Sequence, residues 1–176
     1  VLQVRDDDVY ADFVRTLEEL GYDINSDENK KVYCPEYGIP QNRKRWVLIA
    51  SQQGTIELPD PIYTEESEYP SVKETIDHLP PLAAGEVHDS HKLHRSRKLS
   101  EKNLERIRHM EPGGDWRLWE QEGLEHLLAD CHKKDSGQSY KAPYSRMRPE
   151  DPAPTITTQF YNYGSGRFGH YDTSQD

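Results

Sequence analysis

Tyr37-Gly38-Ile39-Pro40-Gln41-Asn42-Arg43-Lys44-Arg45 runs directly into Trp46-Val47-Leu48-Ile49-Ala50, and no other junction in the chain says as much about its fold. Gly38 and Pro40 mark a turn, because glycine tolerates left-handed backbone and proline presets φ. An amide donor and three cations follow, Arg43, Lys44 and Arg45. A short, continuous apolar run then matches the pattern of a buried strand. Nothing later in the chain is as hydrophobic as Trp46–Ala50, which places this run in the main sheet of a larger domain. Arginine presents planar, bidentate donors that match phosphate and base carbonyl oxygens, so a basic turn anchored on a strand suits an anion. Composition alone leaves equal room for a solvated loop whose cations serve solubility.

Upstream, Val9, Phe13, Leu17 and Leu20 recur at spacings of four and three, which predicts a helix that Asp8 caps and Gly21 ends. An extended stretch through Val32 and Tyr33 leads from it to the turn. After Ser51 the character changes. Pro59, Pro61, Pro70, Pro80 and Pro81 punctuate a segment with one short helix, Val72 to Leu79, for which Ser71 and Glu74 supply a capping box. A second, mostly basic helix is expected from about Glu101 to Met110, stopped by Pro112-Gly113-Gly114. Leu124, Leu127, Leu128 and Cys131 at helical spacing predict a third, and Lys133 to Lys141 a loop. Thr155-Ile156-Thr157-Thr158 reads as a strand, followed by a run rich in glycine and aromatics. The expected boundary falls between Ser51 and Pro61, dividing residues 1–55 from residues 56–176.

Bulk composition sets limits on this picture. Of 176 residues, 33% are hydrophobic and 31% charged, and the mean hydropathy is -1.02. Such a chain has a thin core and long loops. No apolar run approaches the ~20 residues a membrane helix needs. Two cysteines, Cys34 and Cys131, make no disulfide framework and suit a reducing cytoplasm. The chain begins at Val1 without a methionine or a secretory signal, as an excised piece would. A formal charge of -10 argues against nucleic acid when read globally. Phosphate contacts depend on local charge, however. Acid gathers at Asp6, Asp7, Asp8, Asp12, Glu18 and Glu19, and again at Glu65, Glu66 and Glu68. The stretch from His91 to His109 instead carries Lys92, Arg95, Arg97, Lys98, Lys102, Arg106 and Arg108.

Gln41-x-Arg43-x-Arg45, after Tyr-Gly-Ile-Pro and before an apolar strand, resembles the eighth conserved motif of the DNA (cytosine-5) methyltransferases. Leu17-Glu18-Glu19-Leu20-Gly21-Tyr22 resembles the helix end that leads into that motif. Pro152-Ala153-Pro154-Thr155-Ile156-Thr157-Thr158 is similar to the Thr-Leu or Thr-Ile pair of the family's recognition domain. Ser71-Val72 with Leu79-Pro80, then Pro112-Gly113-Gly114 with Trp116, resemble its spacer pattern. The likeness keeps one order over nearly the whole chain. It implies that Arg45 contacts the O2 of a flipped cytosine and a neighbouring phosphate, that Arg43 and Gln41 hold the motif loop and the DNA backbone, and that Thr155, beside Ile156, packs against the backbone at the flipped nucleotide. A base inside the duplex cannot be attacked at C6, so it must be extruded and the displaced phosphodiester held.

The resemblance also implies absences. The family nucleophile lies in Pro-Cys-Gln, the cofactor motif is Phe-x-Gly-x-Gly, and Glu-Asn-Val supplies a carboxylate; none occurs here. Cys34 reads as a filler and Cys131 as the apolar side of a helix. The parent would use S-adenosylmethionine, bound outside this chain, and the piece should be inactive alone.

Other clusters invite rival readings. His88, His91 and His94 lie three apart and suggest a metal, yet the flanking sequence is not helical, no paired cysteines support zinc, and no metal is expected. Gly164-Ser165-Gly166-Arg167-Phe168-Gly169-His170 lacks the Gly-Lys-Ser/Thr ending of a nucleotide loop. A DNA-facing or inter-domain loop fits it better, as does a disordered edge. Arg106 and Arg108 either track phosphates or form a solvated helix face. The expected fold is thus mixed, α/β (α+β): the edge of a Rossmann-like methyltransferase domain in residues 1–55, then a small irregular target recognition domain in residues 56–176. Its expected partners are double-stranded DNA and a missing amino-terminal catalytic half. The strand Trp46–Ala50 would have an unpaired edge, which allows a homodimer in isolation. A stand-alone DNA-binding module and a transfer-RNA methyltransferase are the alternatives.

Overall fold

The computed structural model of the chain describes residues 7–25 and 31–176. The architecture mixes short helices with two-stranded sheets. The chain forms two compact units, one of Val1–Ile39 and Arg43–Glu68, the other of Pro40–Asn42 and Tyr69–Asp176.

In the first unit, helix α1 (Asp7–Glu19) starts ahead of Asp8, so Asp8 lies within the helix and is not its cap. Gly21 adopts φ +79°, the left-handed geometry that ends a helix. The amide of Tyr22 then donates to the Leu17 carbonyl at 3.0 Å and closes the last turn. The apolar stripe does not face a core: Val9, Phe13 and Leu20 are 66%, 51% and 62% exposed. Tyr10 meets Trp46 edge-on, with ring centroids 5.1 Å apart.

The continuous strand expected over Trp46–Ala50 is not found. Strand β4 (Lys44–Trp46) ends at the tryptophan and β5 (Ala50–Ser51) begins four residues later. The reason lies in the partners. β4 pairs antiparallel with β2 (Lys31–Tyr33), Val32 opposite Arg45, whereas β5 pairs with β1 (Asp23–Ile24), Ile24 opposite Ala50. Among the described residues the partners pair only with the two ends of the run, which is half-buried throughout.

The second unit holds the larger core. Strand β3 (Gln41–Asn42) runs parallel to β6 (Ala153–Pro154). Helix α2 (Val72–Ile76) carries the predicted capping box: Ser71 Oγ accepts from the Glu74 amide at 3.2 Å, and the Glu74 carboxylate accepts from the Ser71 amide at 3.0 Å. Helix α3 (Glu101–Arg108) matches its expected span, and its last turn leads into buried Met110. A third helix is present but displaced. It is α4 (Arg117–Gln121), while Gly123 at φ +73° breaks the chain before Leu124. Leu127 and Leu128 are buried all the same, through a 3-10 turn over Glu125–Leu127, whereas Cys131 is exposed. The strand expected at 155–158 is not formed: the strand residues, β6, lie just before it, and the chain turns where the Phe160 amide reaches back to the Thr157 carbonyl.

Trp116 and Trp119, both 0% exposed, pack with Met110, Leu127 and Leu128. The His132 ring stacks on Trp116 at 4.5 Å, and Trp116 Nε1 donates to the Tyr140 carbonyl. Behind this cluster Arg146 is fully buried. Its guanidinium donates to the carbonyls of Ile107, His170, Asp172 and Gln175 at 3.1, 2.7, 2.9 and 2.9 Å. Burial holds its pKa below the ordinary arginine value, yet a guanidinium stays charged in a protein. One side chain therefore ties the end of α3 to the last residues of the chain.

Candidate nucleic-acid interface

The basic segment is built by a tight local fold. Pro35 sits in a 3-10 turn, Cys34–Tyr37, and Gly38 follows at φ +76°, a conformation a side chain would strain. The amides of Gly38 and Ile39 donate back to Pro35 and Cys34, which turns the chain sharply before Pro40. Extended backbone then carries the polar residues in succession. Arg43 is half-buried, and its carbonyl accepts from the Cys34 amide at 3.0 Å. Lys44 lies with its ammonium 4.7 Å from the centroid of the Tyr33 ring. Arg45 is exposed, and Nη1 donates to the neighbouring Lys44 carbonyl at 2.7 Å. Among the described residues that bond leaves most of the guanidinium fork open.

Gln41 and Thr155, far apart in sequence, are brought together within the second unit. Gln41 stands opposite Ala153 and Asn42 opposite Pro154. The Ala153 amide donates to the Pro40 carbonyl at 2.9 Å, and Thr155 Oγ1 donates to the Asn42 carbonyl at 2.7 Å. The hydroxyl thus fixes the register of β3 against β6. Ile156, next along, is 48% exposed.

The two arginines of α3 part company. Arg106, expected at DNA, is 7% exposed and belongs to the core. Its Nε donates to the Leu127 carbonyl at 2.7 Å, Nη1 donates to Asn103, and the guanidinium lies 4.3 Å from the Tyr144 ring centroid. The helix turn buries this position against the aromatic cluster, so Arg106 cannot meet a phosphate. Arg108 lies on the outer side. Its Nε and Nη2 donate to Asp176 at 2.9 and 2.8 Å, an exposed pair.

The histidine triplet does gather: the His88 ring lies 5.4 Å from His91 and 5.7 Å from His94. His88 Nδ1 pairs with Ser90 Oγ, and His94 Nε2 with the Pro80 carbonyl. Among the described residues no group of three or more His, Cys, Asp or Glu is placed to hold a metal ion. No helix of the described residues is long and apolar enough to cross a membrane.

Sequence reasoning missed Arg97. Its guanidinium covers the ring of Tyr161 at 4.9 Å, across sixty-odd residues of chain. No periodicity links the two positions, so only the folded chain reveals the pair.

Residues 1–168 match the family described as C-5 cytosine-specific DNA methylase. The chain is 44% identical to the Type II methylase M.HgiDII of Herpetosiphon aurantiacus over 93% of its own length and 44% of that protein. It is 32% identical to the Type II methyltransferase M1.HgaI of Avibacterium volantium, over 69% of this chain and 31% of that protein. With the Type II methyltransferase M1.BsuMI of Bacillus subtilis (strain 168) it shares 30% identity, over 92% of this chain and 34% of that protein. The chain thus spans less than half the length of these curated relatives. No solved structure matches it.

Proposed function

Because the chain belongs to the C-5 cytosine-specific DNA methylases, we propose that it is the DNA-recognising part of an enzyme that methylates C5 of cytosine in duplex DNA. In this reading residues 1–55 lie at the edge of a Rossmann-like catalytic domain and residues 56–176 form the target recognition domain. The observation that carries it is Arg45, an exposed guanidinium with an open fork at the end of Gln41-x-Arg43-x-Arg45. Arg45 and Arg43 grip the backbone at an extruded cytosine, with Arg45 also reaching the base. Gln41, Thr155 and Ile156, at the β3–β6 ladder of the second unit, hold DNA backbone as well, and Arg108, whose Nε and Nη2 stay on Asp176, adds a phosphate contact through Nη1.

The exposed stripe of α1 supports the assignment of a missing amino-terminal catalytic half. An amphipathic helix that leaves Val9, Phe13 and Leu20 in water is more stable with a partner surface over them.

S-adenosylmethionine would supply the methyl group, but the residues present do not fit it. The cleft of about 490 Å³ in the second unit has a carboxylate, Asp176, in its lining, and Arg108 already holds both of its oxygens. No lining carboxylate is left to accept from ribose hydroxyls. The cofactor site is therefore assigned outside this chain.

The test is methylation with labelled S-adenosylmethionine by the full-length protein and by this chain alone, on duplex DNA and on RNA. Transfer to DNA by the full-length protein only supports the reading. Transfer to RNA alone would move the substrate, and DNA binding without transfer would leave a binding module. Arg45→Ala should lower methyl transfer by roughly 10- to 150-fold, the range of a charge-assisted hydrogen bond. Duplex affinity should fall only a few-fold, and equal losses in both would remove Arg45 from the flipped base.

A further inference from the structure

The second unit presents two aromatic rings to solvent side by side. Phe160 and Tyr161 are 52% and 50% exposed, and their ring centroids lie 6.2 Å apart. Such rings are normally drawn into a core, and here the backbone holds them out. The Phe160 amide donates to the Thr157 carbonyl, the Asn162 amide to Gln159 and the Ser165 amide to Asn162, which makes consecutive tight turns. Tyr163, two residues beyond Tyr161, is buried, and its hydroxyl donates to the Tyr144 carbonyl at 2.6 Å. The rings therefore stand on an anchored platform.

The opposite side is equally fixed. Arg95 bridges to Val87, the Ser96 amide donates to the Glu86 carbonyl at 2.9 Å, and the His94 amide donates to His91. From this hairpin Arg97 places its guanidinium over Tyr161. Neither Arg95 nor Arg97 has a carboxylate partner among the described residues. The rings and both arginines line the same cleft, whose apolar wall includes Leu79 and Leu82. Its volume, about 490 Å³, falls in the range of roughly 300–1,000 Å³ typical of small-ligand sites.

We propose that Tyr161 and Phe160, with Arg97, form a stacking site for an unpaired DNA base. The chemistry selects this occupant. Exposed aromatic faces beside arginine bind nucleobases by stacking and cation–π contact, while the cations draw the attached phosphates. In an acidic chain of net charge -10, uncompensated cations at one cleft point to a polyanion. Paired bases in a duplex have no free face, so the site takes a base that has left the stack. This deepens the DNA-recognition reading above and rests on it: extrusion of a cytosine leaves its partner on the opposite strand unpaired and free to leave the stack.

The experiment compares the full-length protein with its Tyr161→Ala, Tyr161→Phe and Arg97→Gln variants. The probe is an oligonucleotide carrying 2-aminopurine, as a single strand and annealed to its complement. Tyr161→Ala should weaken single-strand binding roughly 5- to 150-fold and abolish fluorescence quenching, with little change on the paired duplex. Tyr161→Phe should retain both, and Arg97→Gln should flatten the salt dependence on the single strand by about 0.7 in slope. Both rings are half-exposed, so their truncation leaves the core intact. Unchanged single-strand affinity in Tyr161→Ala, or equal loss on both probes, overturns the proposal even if the wild-type protein methylates DNA. Selective loss supports it even if the wild-type protein does not methylate, a result that would refute the methylation reading alone. A self-association that Tyr161→Ala abolishes while DNA binding is unchanged also overturns it, in favour of a contact between copies.

Discussion

Replacing Arg146 with methionine should destabilise the second unit by about 3 kcal/mol, and the figure follows from where its acceptors lie. The guanidinium donates to the Ile107, His170, Asp172 and Gln175 carbonyls. Three of these belong to the final stretch of chain, which can peel away and find water. The fourth belongs to Ile107, a residue 3% exposed on α3, and cannot. An orphaned buried carbonyl costs about 1–3 kcal/mol. Releasing the tail removes further charge-assisted bonds, and relief of the buried charge offsets part of that loss. Hydrogen bonds made by a charged group contribute about 1.5–3 kcal/mol each, so after that offset about 3 is a fair expectation for a near-isosteric apolar replacement. For a chain of 176 residues that corresponds to a fall in Tm of roughly 6–12 °C. Urea unfolding followed by tryptophan fluorescence measures it, since Trp116 and Trp119 lie in the same core. Hydrogen exchange should show the amides after His170 losing protection first. Arg146→Lys, which keeps the charge and loses the planar fork, should fall between the two proteins. A loss below about 1 kcal/mol with unchanged exchange in the tail would refute the account of Arg146 as a buried tie.

Two smaller effects follow from the same unit. Ser71→Ala removes the cap of α2, whose hydroxyl accepts from the Glu74 amide at 3.2 Å; equilibrium unfolding should show a loss of about 1 kcal/mol. His132 and His170 have pKa values lowered first by burial, with Arg106 adding to the effect at His132 and Arg146 at His170. The unfolded chain therefore takes up protons before the folded one as pH falls below about 6.5. Stability should be full near neutrality and decline as pH drops through that value toward the lowered folded pKa values. Melting temperatures across the range should flatten in His132→Phe, whose ring can still stack on Trp116; an unchanged profile would remove His132 from the acid response.

How legible the chain was varies with the reach of the signal. The capping box at Ser71 and Glu74, the basic helix α3 and the stop at Gly21 were readable because each depends on residues within one turn. The Trp46–Ala50 run misled. Apolar content marks burial potential, but a strand also needs a paired partner, and among the described residues β1 and β2 pair only with the two ends of the run. The third helix was misplaced for a related reason. Leucines at helical spacing still reach the core from a 3-10 turn once Gly123 breaks the backbone, while the Trp116 and Trp119 pair marks where the packing lies.

The candidate site divides along the same line. Gln41, Arg43, Arg45 and Thr155 could be singled out from local sequence, because a basic turn before a strand is a local pattern. The sequence alone could also assign the family through the order of its motifs. Only tertiary structure decided that Arg106 is buried while Arg108, two residues on, is exposed, since two residues advance about 200° around a helix and so face opposite sides whatever their type. Only it could set Thr155 against Asn42 and Arg97 over Tyr161. Local chemistry is written in neighbouring residues, whereas such pairings depend on how distant segments pack to bury Trp116, Trp119 and Arg146.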